Sequence, residues 1–323
     1  MVRITDVARR AGVSPSTVSY ALSGKRPISA ETRRRVEAAV RELGYRPHSG
    51  APARGRSKVL ALAAPLRAGV HLPAMMRVTE SVVTAARGHD HDVLLLTHEE
   101  GLNRVGGPAP ADALLVMDIG LQDPRLPLLR SLNLPCVLLG LPADPHGLTC
   151  LDLDHRAAGE VCVDHLARLG HRTVALVGSP PESHLPGTAS AHRLVEGFTA
   201  AADHHGLAPS VHPAGSAPDA AHRIADRLLR ERPALTAVVV HNAPLLEPLI
   251  TAFRQLGLRI PEDLSIMAVC PDDPETVTSV PLPAGELGTR AVELLMAQLH
   301  GMPVPETTLL PPRLTERAST GHA

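Results

Sequence analysis

The chain has 323 residues, more than the roughly 250–300 at which one hydrophobic core stops growing, so we expect more than one domain. Apolar residues make up 44% and charged residues 20%, which is typical of a globular protein and excludes a disordered one. No apolar run approaches the roughly 20 residues of a membrane span, and the scattered cysteines do not indicate a disulfide framework. Because the N-terminus also lacks an apolar signal, we expect a cytoplasmic protein without membrane contact.

The net charge of −1 combines a basic head with an acidic body. Residues 1–58 contain 13 Lys and Arg against 4 Asp and Glu, whereas the remaining residues contain 19 against 29. This division is typical of a nucleic-acid-binding module joined to another domain. A basic helix surface that is merely solvated is the alternative that the charge alone leaves open.

Three short helices are predicted in the head. The first covers residues 5–11 and ends at Gly12, the second covers 15–22 with Ser14 as its N-cap, and the third covers 30–43. This order predicts a helix-turn-helix unit whose second helix has a small polar face suited to the major groove. A three-helix protein-interaction module is the alternative, which the basic charge disfavours.

The segment 48–58 is rich in Gly, Pro and Ser and is predicted to be a linker. From residue 59 onward, apolar runs with the character of strands alternate with amphipathic helical patterns. This alternation predicts parallel sheets covered by helices on both faces, in two lobes with a cleft between them. The predicted strands are 59–65, 93–97, 113–117, 136–140, 174–178, 237–241 and 264–269. The predicted helices are 73–87, 125–132, 156–169, 188–205, 220–230, 244–256 and 284–300.

Several motifs resemble those of one family of transcription regulators. TDVARRAGVSPSTVS at 5–19, SAETR at 29–33 and ELGYRP at 42–47 resemble the head of the lactose-repressor (LacI/GalR) family. DHLARLGHRTVALVG at 164–178 and GLRIPEDLS at 257–265 resemble its effector-binding core, which is similar to periplasmic sugar-binding proteins. The resemblance implies an α/β protein in which an all-α helix-turn-helix head is joined to a two-lobed periplasmic-binding-protein-like effector domain with parallel sheets.

The function that this resemblance implies is sequence-specific regulation of transcription. A repressor of this kind binds a near-palindromic double-stranded DNA operator as a homodimer, and a small-molecule effector in the interlobe cleft controls it. A DNA-binding protein with a vestigial, ligand-free body is the alternative. By the family pattern, the bases are read by Pro15, Ser16 and Tyr20. The same pattern implies that Thr5, Ser14, Thr17 and Ser19 hold phosphates, and the basic Arg33 is placed to meet phosphates as well.

The linker departs from the family pattern, in which a hinge helix wedges a Leu into the minor groove. Here the segment is about two residues shorter, contains Pro52 and has no Leu before Leu60. Both a hinge helix and a plain tether therefore remain open.

The cleft departs from the pattern as well. Arg193 resembles the ligand-gripping Arg of the family, although it lies one residue further from Gly197 than usual. Ala243 and Cys270 stand where the family has Asp, which favours an anionic or less hydroxylated ligand over a neutral sugar. The candidate effector-binding residues are Arg67, His71, Arg193, Asn242 and Cys270.

Neither a metal site nor catalysis is expected. The histidine clusters at 89–92 and 204–205 lack the spacing of a zinc site. The sequence contains no nucleotide-binding glycine loop and no nucleophile elbow. We therefore expect no cofactor, no metal and no enzymatic activity.

The predicted domains are a head at 1–47, a linker at 48–58 and a body at 59–323. The lobe nearer the DNA is expected to comprise about 59–153 and 281–306. The distal lobe is expected to comprise about 154–280 and 307–320, with crossings near Asp154, Val280 and Thr307.

Overall fold

In the computed structural model of the protein, the chain forms two compact units, Met1–Gly55 and Arg56–Ala323. The structure describes residues 4–23, 28–43, 57–64, 72–98, 100–105, 111–132, 134–178, 189–214, 220–270 and 275–323. Most of the predicted linker, together with Arg67 and His71, lies outside the described residues. Within the described part of the chain, no helix has the length and apolar character needed to cross a bilayer.

The head consists of three helices, α1 (Ile4–Ala11), α2 (Pro15–Ser23) and α3 (Ala30–Leu43). The turn between α1 and α2 forms at Gly12, whose φ of 65° lies in the left-handed region that glycine adopts without strain. The helices enclose a small apolar core formed by Val7, Ala8, Ala11, Val18, Val36 and Ala39. The three predicted helices of the head are confirmed.

The first sheet of the body has six parallel strands in the order β11-β5-β4-β3-β1-β2. Its strands are β1 (Val59–Ala63), β2 (Asp92–Leu96), β3 (Ala113–Val116), β4 (Cys136–Leu139), β5 (Thr149–Leu153) and β11 (Thr307–Leu310). Its helices are α4 (Leu72–Gly88), α5 (Glu100–Val105), α6 (Leu126–Ser131) and α11 (Ala284–Leu299). Helices α4 and α11 cover one face of this sheet, and α5 and α6 cover the other.

The second sheet has five parallel strands in the order β10-β9-β8-β6-β7. Its strands are β6 (Thr173–Gly178), β7 (Ala208–Pro213), β8 (Ala237–Val240), β9 (Ser265–Cys270) and β10 (Thr278–Pro281). Helices α7 (His155–Arg168) and α8 (Ala189–His205) pack on one face. Helices α9 (Ala220–Glu231) and α10 (Leu246–Gln255) pack on the other, and a single 3-10 turn at Ala243–Leu245 leads into α10.

The chain passes between the sheets three times, after Leu153, after Pro281 and after Leu310. The third passage corrects the predicted lobe boundary at residue 307. Strand β11 pairs with β5, with Leu310 opposite Leu153, so residues 307–310 belong to the first sheet and not to the distal lobe. The apolar Leu-Leu pair at the end of β11 extends that sheet by one edge strand before the chain crosses.

Candidate DNA-binding surface and effector cleft

The second helix of the head presents its first turn to solvent. Pro15 and Ser16 are exposed, whereas Thr17 and Tyr20 are partly buried against the head. Val18, on the opposite side of the helix, is completely buried. Helix α2 therefore has the exposed polar face that the sequence predicted for major-groove contact.

Hydroxyl groups cluster at the N-terminus of α2. The Ser14 Oγ accepts a hydrogen bond of 3.1 Å from the Thr17 backbone N–H and thereby caps the helix. The same oxygen lies 2.8 Å from Ser16 Oγ and 2.8 Å from Thr17 Oγ1. Three predicted contact residues thus meet at the positive end of a helix dipole, where a phosphate binds favourably.

The remaining candidates in the head lie on α1 and α3. Thr5 is exposed at the start of α1, and Arg33 is exposed on α3 beside the exposed Arg34 and Arg35. The Arg10 guanidinium on α1 donates to the Glu42 carboxylate on α3 at 2.7 Å, which holds the two helices together. The side chain of Ser19 lies outside the described part of the structure.

Arg193 joins the two lobes of the body. It projects from α8, beside the second sheet, and its Nη1 donates to the carbonyl of Leu141. Its Nη2 donates to the Pro142 carbonyl at 3.1 Å. Both acceptors follow β4 of the first sheet, so this side chain lies between the two lobes.

Asn242 lies at the carboxyl end of β8 and is only 4% exposed. Its Nδ2 donates to the Ala214 carbonyl at 2.8 Å. This hydrogen bond fixes the amide against the segment that follows β7. The Asn242 side chain therefore links the carboxyl end of β8 to the segment after β7.

The structure places two histidines near this edge that the sequence analysis did not single out. His155 is the first residue of α7 and is 7% exposed; its Nε2 lies 3.5 Å from Asp152 Oδ1 on β5. Its ring packs edge-on against His241, with a centroid distance of 6.2 Å. Burial, together with the neighbouring His155, lowers the pKa of His241 to about 3. The sequence could have indicated both residues, because His155 directly follows the predicted crossing near Asp154 and His241 directly follows the apolar residues of β8.

The other expected cleft residues are not placed. Arg67 and His71 lie outside the described residues, and so does the side chain of Cys270, although its backbone ends β9. Among the residues that the structure describes, no group of three His, Cys, Asp or Glu side chains could hold a metal ion. His205, from one of the two histidine clusters, instead contacts Asp164 at 2.7 Å.

A helix-turn-helix head joined to a body of two parallel sheets defines a DNA-binding regulator with a ligand-binding fold. Residues 3–48 match the description "Bacterial regulatory proteins, lacI family". Residues 163–320 match the description "Periplasmic binding protein-like domain".

Relatives match over almost the whole chain. The HTH-type transcriptional regulator AglR of Rhizobium meliloti (strain 1021) is 30% identical, over 100% of this chain and 95% of its own length. The HTH-type transcriptional repressor PurR of Proteus mirabilis (strain HI4320) is 26% identical, over 99% of this chain and 97% of its own. The chain therefore belongs to the LacI family, and it is a DNA-binding transcription regulator, as the resemblance implied.

Solved structures show the same fold. The transcriptional regulator CelR in complex with cellobiose has a TM-score of 0.69 at 23% identity, and the match covers 99% of this chain and 100% of that one. The Lac repressor dimer bound to operator and the anti-inducer ONPF also has a TM-score of 0.69 at 23% identity, with 99% of each chain covered. The predicted fold class is thereby confirmed.

Proposed function

We propose that this protein is a cytoplasmic repressor without catalytic activity. Two copies bind a near-palindromic operator through heads formed by residues 1–47, and a small molecule in the cleft of each body, residues 59–323, changes the affinity for DNA. The observation that carries the proposal is Arg193, which connects α8 of one lobe to the Leu141 and Pro142 carbonyls of the other. A ligand that competes for this guanidinium changes the angle between the lobes and hence the spacing of the heads.

Operator recognition is assigned to the exposed face of α2. Pro15, Ser16 and Tyr20 contact base edges, because Pro15 and Ser16 are exposed, and Ser16 and Tyr20 lie on the side of the helix away from the buried Val18. Phosphates are held by four hydroxyl-bearing residues and one arginine of the head, namely Thr5, Ser14, Thr17, Ser19 and Arg33.

Dimerisation is assigned to the first lobe. Helix α4 exposes Leu72, Met76 and Val83, and the neighbouring edge strand β2 exposes Leu94 and Leu95. A monomer would expose this apolar helix face and the edge strand beside it to water, and such surfaces promote association with other chains. We therefore assign this surface to the contact with a second copy.

The effector is assigned to the anionic class. The described contacts of Arg193 use its two Nη atoms, and none of them uses Nε. The Nε–H side of a guanidinium forms bidentate hydrogen bonds with carboxylate or phosphate oxygens. Ala243 offers no carboxylate for a sugar hydroxyl. The ligand in the CelR complex is cellobiose, so neutral sugars are the competing class.

Two measurements test the proposal. The full chain is used to select operators from random duplex DNA, and its affinity for the selected site is measured at several salt concentrations. For about 6–10 neutralised phosphates per dimer, affinity is expected to fall by about 10³–10⁵-fold between about 50 and 200 mM salt. A flat salt response would contradict the DNA-binding assignment.

The effector is then sought by measuring release of that operator in the presence of neutral sugars, sugar phosphates and carboxylic acids. We expect anionic compounds to alter operator affinity. Operator binding that no compound alters would instead support the vestigial, ligand-free body.

A further inference from the structure

The α7/α8 end of the cleft contains a polar atom that lacks a partner. Nδ1 of His155 is completely buried and makes no hydrogen bond with any residue that the structure describes, although the desolvation of an unpaired imidazole nitrogen is costly. Nε2 of the same ring faces Asp152 Oδ1 at 3.5 Å. We assign the ring proton to Nε2, because a carboxylate stabilises an N–H directed towards it. Nδ1 is then a hydrogen-bond acceptor.

Two other polar side chains, those of His241 and Arg193, lie on the same α7/α8 side of the second sheet as His155. His241 follows β8 with the same strand parity as Val239, which packs with α7 and α8, so His241 is on the α7/α8 side of the sheet. Arg193 is on α8. Contacts from this group reach the first lobe twice, through Asp152 on β5 and through the carbonyls after β4. The group therefore lines the junction between the lobes.

We propose that Arg193, His155 and His241 form a subsite for an acid that also carries hydroxyl groups, an assignment that rests on the effector cleft proposed above. The Nε–H side of Arg193 holds the acid oxygens, and Nδ1 of His155 accepts a hydrogen bond from a ligand hydroxyl. His241 stays neutral at neutral pH and lines the same subsite without a charge. A ligand hydroxyl there supplies the partner that Nδ1 lacks.

The test compares three probes on the full-length protein by titration calorimetry. Gluconate has an acid and hydroxyls, hexanoate has the acid on a chain of equal carbon number without hydroxyls, and glucose has hydroxyls without the acid. We expect gluconate to bind at least about tenfold more tightly than either of the others, because each of them leaves one half of the subsite unpaired. Equal binding of gluconate and hexanoate would overturn the role of His155, and equal binding of gluconate and glucose would overturn the role of Arg193.

A pair of variants assigns the effect to the His155 imidazole. His155→Phe keeps a ring of similar size and removes both ring nitrogens, and it is expected to weaken gluconate by about ten- to a hundredfold while leaving hexanoate unchanged. The matched control is His212→Phe, because His212 on β7 is 9% exposed and also has an unpaired buried nitrogen. Equal losses in both variants, or none in His155→Phe, would overturn the proposal. The wild-type probe comparison remains decisive if a variant does not fold.

The outcomes separate this inference from the proposed function. Gluconate that binds through His155 without changing operator affinity would leave the subsite in place and contradict effector control. A different compound that releases the operator with equal strength from wild type and His155→Phe would support effector control and contradict the subsite. A wild-type protein that binds none of the three probes would overturn the subsite, whereas operator binding would still establish the regulator.

Discussion

A Cβ atom built on Gly197 of α8 would lie 1.9 Å from the carbonyl oxygen of Arg156 on α7. The contact is reciprocal, because a Cβ on Gly159 of α7 would lie 2.5 Å from the Leu194 carbonyl oxygen on α8. The two helices therefore pack with their backbones in contact. Since Arg193 lies about one helical turn before Gly197, this contact fixes its position relative to the start of α7.

Gly197→Ala is expected to destabilise the protein by about 1–3 kcal/mol or more, because backbone atoms cannot move aside for the added methyl group as a flexible side chain would. The free energy of unfolding is measured by urea denaturation. The matched control is Gly285→Ala in α11, where a Cβ meets nothing within 4 Å. The control is expected to be neutral or slightly stabilising, since alanine favours a helix. Equal effects of the two substitutions would show that the helices separate at little cost.

The head was predictable from sequence because local signals specify it. Ser14 supplies the cap of α2 through its contact with the Thr17 N–H, and Gly12 supplies the left-handed turn. Both effects act within a few residues and are visible in the order of the residues alone. The apolar spacing that places Val7 and Val18 in the core is likewise local.

The body was less predictable where strands lie at sheet edges. The sequence analysis missed β5, β7, β10 and β11, and all of these except β5 are edge strands. Strand β7 includes Pro209 and Pro213, which edge strands tolerate because part of their backbone has no ladder partner. These segments lack the apolar runs that identified the central strands.

The cleft was predictable only in part. Arg193 was found through its resemblance to a family residue, whereas His155 and Asp152 were not found. Their contact depends on how α7 begins directly after β5, at the crossing between the lobes. Residue spacing alone does not report such a tertiary contact.

Arg193→Ala is expected to lower the free energy of unfolding by about 1.5–3 kcal/mol, because it removes charge-assisted hydrogen bonds to two carbonyls of the other lobe. Arg193→Lys is expected to recover only part of this loss, since one ammonium cannot reproduce the planar fork. Chemical denaturation of the full chain gives both values. Arg290→Ala on α11 is the control, because that side chain is half exposed and its ion pair among the described residues is with Glu293 on its own helix. A loss no greater than the control's would mean that the interlobe contact adds nothing to stability.

Tyr20→Arg is expected to change the base preference of the operator at one symmetric pair of positions. A tyrosine offers a single hydroxyl and an apolar ring, whereas an arginine fork reads guanine with two hydrogen bonds. The change in discrimination is expected to be about 1–3 kcal/mol at that position. Selection from random duplexes with each protein measures it. The control is Arg33→Lys, which is expected to leave the selected sequence unchanged because Arg33 is proposed to contact phosphate rather than a base. Identical profiles for wild type and Tyr20→Arg would exclude base reading by this residue.

Acidification is expected to destabilise the folded protein. Burial lowers the pKa of His165 and His171, and burial with the neighbouring His155 lowers that of His241 to about 3. Histidine in the unfolded chain has a pKa of about 6.5. At pH values below about 6.5 and above the lowered pKa values of the folded protein, the unfolded chain therefore binds more protons than the folded chain. Stability is fully present above about pH 6.5 and is lost as the pH falls below it, by about 1.4 kcal/mol per pH unit for each proton bound only by the unfolded chain.

The histidine contributions are separated by measuring unfolding free energies at several pH values between about 7 and 5, where the carboxylates remain largely ionised. His241→Asn removes one of the titrating groups whose pKa is lowered in the folded protein, so its stability is expected to fall less steeply with acidification than that of wild type. His222→Asn is the control, because His222 is exposed on α9 and has no burial to lose on unfolding. A wild-type stability that is constant from pH 7 to 5, or an identical slope in His241→Asn, would contradict a neutral His241 imidazole in the folded protein.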